Sequence, residues 1–397
     1  MRVVVTGQVG MDKKAFLSRA VALAGSAGRK VTLFNVGEMM YAEAPDVPPG
    51  RILDLPLSRL NTLRRSVFKD ILAECVRGGD LIVNTHATFR WRHGLFYAFD
   101  YDLMKALDAE LYVVLVDNID RVHGRLLRDG HTDHTLKDLM VWREEEILAT
   151  ELLAQIVGSP DRTVSRPGAP ARGYGCFYVL TRGSDPDPSA PAPPAGAPAE
   201  ALVRLMFSTQ MKKAYLSFPM SNVADPEALA KIAGFRSEMK RHFICFDPGD
   251  LEEKHLAAMA LAAAEEGRKF VTVDVDGRQV QIETAELVGI LPDIDGQIYA
   301  RDFKLIDQAD MIVSLIPQVP GGPAGQVRPA ISSGVERELQ HAHEAAKDVF
   351  VIWAAEVAPS PFITETATRL FRSTDEAVRF FLEAGYVPAS PGGGLFG

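Results

Sequence analysis

The chain has 397 residues, enough for two domains, and its 47% hydrophobic and 24% charged residues supply material for real cores. Its 43 basic and 52 acidic residues leave a net charge of −9, which argues against nucleic acid as a partner but leaves room for a small, locally basic phosphate pocket. Three scattered cysteines (Cys75, Cys176, Cys245) without metal-ligand spacing, no signal-peptide pattern after Met1 and no apolar run of ~18 residues point to a cytoplasmic protein with no membrane partner and no site metal.

In chain order, Val3-Val4-Val5-Thr6-Gly7 reads as a buried strand stopped by glycine, followed by a helical pattern over Lys13–Ala24. Strand-like runs follow at Lys30–Asn35, Asp80–Asn84, Leu111–Asp117 and Cys176–Thr181, with helical patterns at Leu57–Cys75 and Lys137–Val157. Residues 184–199 are rich in proline and alanine, which excludes a helix interior or a central strand. They read as a surface insertion before a closing helix over Glu200–Met206, or as a plain linker, and the domain boundary is expected at 209/210. The alternation then restarts. Strands are expected at Ala214–Phe218, His242–Phe246, Ala309–Ile316 and Val349–Trp353, and helices at Pro226–Lys240, Gly334–Lys347 and Thr374–Ala384. Alternation of this kind predicts α/β architecture, with two doubly wound parallel-sheet domains over residues 1–209 and 210–397.

After the first strand comes Gly7-Gln8-Val9-Gly10-Met11-Asp12-Lys13-Lys14. A phosphate loop wants G-x-x-x-x-G-K-[ST]: glycines that turn N–H groups toward phosphate, a lysine against its charge and a hydroxyl for magnesium. Gly7, Gly10 and Lys13 fit, Asp12 stands in place of the second glycine and Lys14 in place of the hydroxyl. Together with Phe34-Asn35-Val36-Gly37, Val83-Asn84-Thr85-His86-Ala87-Thr88, Leu126-Leu127-Arg128-Asp129-Gly130 and Trp142-Arg143-Glu144-Glu145, this loop resembles the archaeal-type adenylate kinases. The resemblance spans about residues 1–208. It implies ATP and Mg2+ as cofactors of this half, Gly7, Gly10, Lys13, Lys14 and His86 at the nucleotide, and Arg125 and Arg128 (with Arg121) as lid arginines. Asn84 stands where that family has an aspartate, and with Asp12 and Lys14 it predicts a nucleotide-binding domain with impaired or lost phosphoryl transfer.

In the second half, Ser332-Ser333-Gly334 opens an amphipathic run whose apolar stripe is Val335, Leu339 and Ala342. A helix N-terminus of this kind favours an anion. Glu336 and Glu338, two apart, face ~200° from one another, and Glu338 is the one beside the stripe. Asp302 through Asp310, then Ser332 through Ala342, and the opening Tyr215-Leu216-Ser217-Phe218-Pro219-Met220-Ser221 resemble the nucleoside 2-deoxyribosyltransferase superfamily, over about residues 210–392. That resemblance implies a covalent glycosyl intermediate on Glu338, with Asp302 assisting or holding the base. Tyr215, Ser217, Phe218, Ser221, Ser332, Ser333 and Gly334 are the substrate-binding candidates. It implies no cofactor for the glycosidic chemistry, nucleotide or nucleoside substrates and a homo-oligomer. Cleavage of NAD, and a catalytically inactive nucleotide-binding regulator, are the alternative readings.

Overall fold

The computed structural model of the chain describes residues 1–91, 94–157, 176–183, 197–220, 223–321 and 326–388. Contacts divide the chain into two compact units: Met1–Asp185 with Glu252–Asp295, and Pro186–Leu251 with Gly296–Gly397.

The first unit is built on five parallel strands in the order Val31–Asn35, Asp80–Asn84, Arg2–Thr6, Leu111–Val116, Cys176–Thr181. Arg2–Thr6 lies at the centre and the chain steps away from it in both directions. Right-handed crossovers then put helices on both faces. That is why Leu111–Val116 is buried at every position, as a two-sided strand must be. Helices Lys13–Ser26, Leu57–Arg77 and Leu136–Val157 follow the expected periodic segments within two residues at each end.

The second unit repeats the plan. Its strands run Arg369–Phe371, Asp348–Trp353, Met311–Ile316, Lys213–Ser217, Ile244–Phe246, all parallel. Met311–Ile316 is again buried throughout. Phe235, Phe243, Phe350, Phe371 and Phe381 gather in one core, with Phe350 and Phe381 edge-on at 5.0 Å.

The contacts differ from the expected boundary at 209/210 on two counts. Helix Pro198–Phe207, read as the close of the first domain, belongs to the second unit, because Arg204 donates to the carbonyls of Lys240 (2.6 Å) and Phe243 (3.1 Å). The segment 252–295 belongs to the first unit. It carries helix Lys254–Glu265, an antiparallel hairpin of Phe270–Val275 and Arg278–Glu283, and helix Thr284–Gly289. Asp276 (φ 53°) and Gly277 (φ 80°) form the two-residue turn, both in the left-handed region that suits a hairpin's twist. Val271, Val273 and Val275 alternate inward. Residues 184–196 of the proline-rich run lie outside the described residues.

Gly124, inside helix Ile119–Arg128, has Val275 so close that an added Cβ would lie 2.9 Å from its methyl carbons. Gly124→Ala is therefore expected to lower the urea midpoint, because overpacking of ~1–3 kcal/mol outweighs the ~1 kcal/mol that alanine gains over glycine in a helix. Pairing it with Val275→Ala is expected to cost less than the sum of the two single changes, because the second relieves the clash of the first. An unchanged midpoint in Gly124→Ala alone means the hairpin does not seat on this helix.

Candidate functional sites

The loop of the first unit leaves the end of the central strand and enters helix Lys13–Ser26. Gly7 (φ 142°) and Gly10 (φ 88°) adopt backbone that other residues avoid, and a Cβ on Gly7 would sit 2.9 Å from the Leu115 carbonyl oxygen. Asp12, in the place of the second framework glycine, is held at φ 49° and ψ 43°. Aspartate tolerates this region better than most residues, so the turn survives the substitution but gains a carboxylate.

A buried glutamate ties the loop down. Glu146 accepts from the N–H groups of Gly7 (2.9 Å), Ala87 and Thr88 (both 2.8 Å) and from the Thr88 hydroxyl (2.8 Å). Lys13 is folded onto its own loop, donating to the Gly7 carbonyl at 2.6 Å and lying 3.2 Å from His86 Nδ1. Burial draws the Lys13 ammonium down to about 7, against the charge of Glu146 that favours it. Burial, and then the Lys13 charge, push His86 well below the usual imidazole range, so it is a neutral partner. Lys13 and His86 thus meet, whereas Lys14 is exposed and pairs with Glu38.

The arginines are engaged by carboxylates. Arg125, fully buried, donates to Asp117 (2.7 Å), to Asp276 (2.9 Å) and weakly to the Gly10 carbonyl (3.4 Å). Arg182, which the sequence reading did not single out, lies 3.4 Å from Asp12 and 3.9 Å from Asp117. Arg143 makes a buried bidentate pair with Glu253 at 2.8 and 3.1 Å. Arg128 is exposed and turned to its neighbour Asp129. A magnesium ion fits poorly here, because Lys14 has no ligand oxygen and Asn84 offers an amide, donated to Asn35 at 2.8 Å, in place of a carboxylate. Beside helix Leu57–Arg77 lies a cavity of about 270 Å³ lined by Asn61, Arg64, Phe96, Tyr97, Phe99 and Asp100. Its buried cation, Arg64, had no sequence motif to mark it. His131 and His134 both pack on Trp91 at 5.1 Å, and among the described residues no cluster of three metal-ligating side chains occurs.

In the second unit, helix Ser333–Glu344 places Val335, Leu339 and Ala342 in the core, Glu336 in solvent and Glu338 half-buried at the edge. Both Glu338 oxygens are held: Tyr215 Oη donates at 3.0 Å to one, Ser217 Oγ at 2.6 Å to the other. Tyr215 and Ser217 alternate with Leu216 along one strand, so both reach the same face. Burial, then the charges of Glu338 and Asp302, hold Tyr215 well above the ordinary phenol range, so it stays a donor. Asp302 pairs with buried Arg301 at 3.2 Å.

The remaining candidates divide. Ser332 Oγ accepts from the Val335 N–H (3.3 Å) and so caps the helix, while Ser333 and Gly334 are exposed beside it. Phe218 is a core residue with the Arg236 guanidinium 5.4 Å above its ring, an arrangement that leaves its face covered. Ser221 lies outside the described residues. Asp310 pins the start of strand Lys213–Ser217, accepting from the Lys213 N–H at 2.9 Å. Among the described residues no helix is long and apolar enough to cross a membrane.

Comparison with known proteins bears on the first unit. Residues 6–143 match a family model described as an AAA domain. The chain is 27% identical over 139 residues to an adenylate kinase of Pyrococcus horikoshii and 28% identical over 141 residues to one of Pyrococcus abyssi, in each case across 34% of this chain and 69% of the relative. A solved gluconokinase from Sinorhizobium meliloti 1021 aligns with 52% of this chain and 90% of its own at 14% identity and a TM-score of 0.26. The N-terminal part of this protein is thus similar to an AAA domain and to the archaeal adenylate kinases.

Proposed function

We propose that the second unit breaks or transfers the N-glycosidic bond of a nucleotide or nucleoside, with Glu338 as nucleophile. The observation that carries this reading is the carboxylate of Glu338, oriented on both oxygens by Tyr215 and Ser217 with the Asp302–Arg301 pair nearby. The group sits where strand Lys213–Ser217 ends, and open parallel sheets bind ligands at the carboxyl ends of their strands.

In this reading a Glu338 oxygen forms a bond to the anomeric carbon while the bond to the base nitrogen breaks, its electron pair leaving with the base. Tyr215 and Ser217 hold the carboxylate for in-line attack. Asp302, ion-paired with Arg301, suits accepting an N–H from the base and so holding it in place. The departing base takes a proton from solvent. Water, or a second base, then displaces Glu338 from the sugar and regenerates the carboxylate. Exposed Ser333 and Gly334 at the helix start suit the 5′ end of the substrate, and a phosphate there gains from the free N–H groups.

The first unit is proposed to bind a nucleotide without efficient phosphoryl transfer. Asp12, Lys14 and Asn84 occupy the positions at which the loop would otherwise gather phosphate and metal, and its arginines are already paired with carboxylates.

Two outcomes are expected. Glu338→Gln reduces release of free base, followed by chromatography over a panel of nucleosides, nucleotides and NAD, by ~10³-fold or more, and Tyr215→Phe reduces it by ~10–100-fold. No release from any substrate by the wild type overturns the glycosidic reading, and nicotinamide as the released base moves it to NAD cleavage. Separately, the folded chain sheds the Lys13 proton at about 7 where the unfolded chain keeps it to about 10.5. The unfolded state thus binds more protons in that window, so wild-type stability rises with pH there relative to Lys13→Met, and this gain is absent below the window. Urea melts of both proteins at pH values inside and below the window read the difference. A constant difference means Lys13 stays charged in the folded loop.

A further inference from the structure

The hairpin of the 252–295 segment brings a carboxylate to the cations of the phosphate loop. Asp276, at the hairpin tip, reaches Arg125 Nε at 2.9 Å, and Arg125 in turn touches the loop at the Gly10 carbonyl. The same guanidinium is held by Asp117 at 2.7 Å, yet its Nη2 is buried without a hydrogen-bond partner. Asp12 and Asp117 also face Arg182. Three carboxylates therefore surround two guanidiniums where a polyphosphate would need net positive charge. Lys13 meanwhile is turned onto Gly7.

Asp117, at the end of interior strand Leu111–Val116, and Asp12, in the loop itself, cannot leave without unfolding them. Asp276 differs, because it sits exposed at the end of a two-stranded hairpin. Such a ribbon is marginally stable by itself, and this one is held by the inward valines and by Val275 against Gly124. A carboxylate that pairs with an arginine through the same donors a phosphate would use is a competitor for that phosphate.

We propose that the hairpin tip is a built-in occupant of the phosphate site: Asp276 competes with the polyphosphate of an incoming nucleotide for Arg125, and binding requires the tip to move away. The incoming phosphate replaces Asp276 at Arg125 and satisfies the orphaned Nη2. This rests on the loop being a phosphate site, and it adds that the segment 252–295 regulates its occupancy.

The test measures binding of ATP and of inorganic tripolyphosphate to the full chain by calorimetry. Asp276→Asn keeps a residue that tolerates the positive φ of the turn. It is expected to bind tripolyphosphate about tenfold more tightly than the wild type at low salt, with the gap narrowing as salt rises. Asp274→Asn removes the same charge from the same hairpin without touching Arg125, and is expected to change binding much less. Equal affinities in wild type and Asp276→Asn, or equal gains in the two variants, overturn the proposal while leaving the loop a phosphate site. Binding by none of the three proteins overturns the phosphate-site reading and the proposal with it. Hydrogen exchange over 270–283 in the wild type is expected to speed up at saturating tripolyphosphate. Unchanged or slower exchange shows the tip staying in place over the bound anion, and also overturns the proposal.

Discussion

A carboxylate removed from water must be met by donors, or its desolvation costs several kcal/mol. Glu253 is fully buried, forms a two-point pair with Arg143 and takes the Ile119 N–H at 2.8 Å. That single residue welds the segment 252–295 to the first unit. Pulling the segment away would separate Glu253 from Arg143 and leave a buried guanidinium without its counter-charge. The hairpin, its tip at Arg125 and the division of the chain into its two units all depend on this closure. Glu286 accepting from the Leu136 N–H (2.7 Å), and the Lys137–Asp293 pair, fasten the same segment farther along.

Glu146 plays the corresponding part for the loop. Its four donors come from the loop and from the turn that carries His86. One carboxylate thus sets the spacing of Gly7 from Ala87 and places His86 beside Lys13. Thr150, one helical turn on, meets Thr6 at 2.6 Å and extends the same seam into the sheet. The result is a loop whose N–H groups converge on Glu146 and whose neighbouring arginines are paired with carboxylates. Order and charge are separate properties here: Glu146 fixes the loop backbone while Asp12, Asp117 and Asp276 pair with the nearby guanidiniums.

The second unit puts its polarity in one place. Tyr215 and Ser217, on strand Lys213–Ser217, turn toward helix Ser333–Glu344 and there meet Glu338. Ser314, opposite Ser217 in register on the neighbouring strand, is buried with its hydroxyl unpartnered. Hydroxyls buried in a sheet carry a desolvation cost, and here two of them, on Tyr215 and Ser217, are met by a half-buried glutamate.

Local pattern determined a good deal. Continuous apolar runs such as Leu111–Val116, and the near-continuous Met311–Ile316, announce two-sided strands, and Ser332-Ser333-Gly334 announces a helix start, because burial and capping act within a few residues. The stripe Val335, Leu339, Ala342 placed Glu338 at its edge and Glu336 in solvent by helical geometry alone. Even the missed hairpin was written locally, in Val271-Thr272-Val273-Asp274-Val275 before Asp276-Gly277. Only the tertiary structure decided which unit that hairpin joins, since its partners Gly124 and Arg125 lie more than a hundred residues away. The same holds for Glu146, Asp117 and Arg182, ordinary residues in sequence whose roles come from the groups folded against them. Charge pairing in a buried site is a property of the packed chain, and no spacing along the sequence records it.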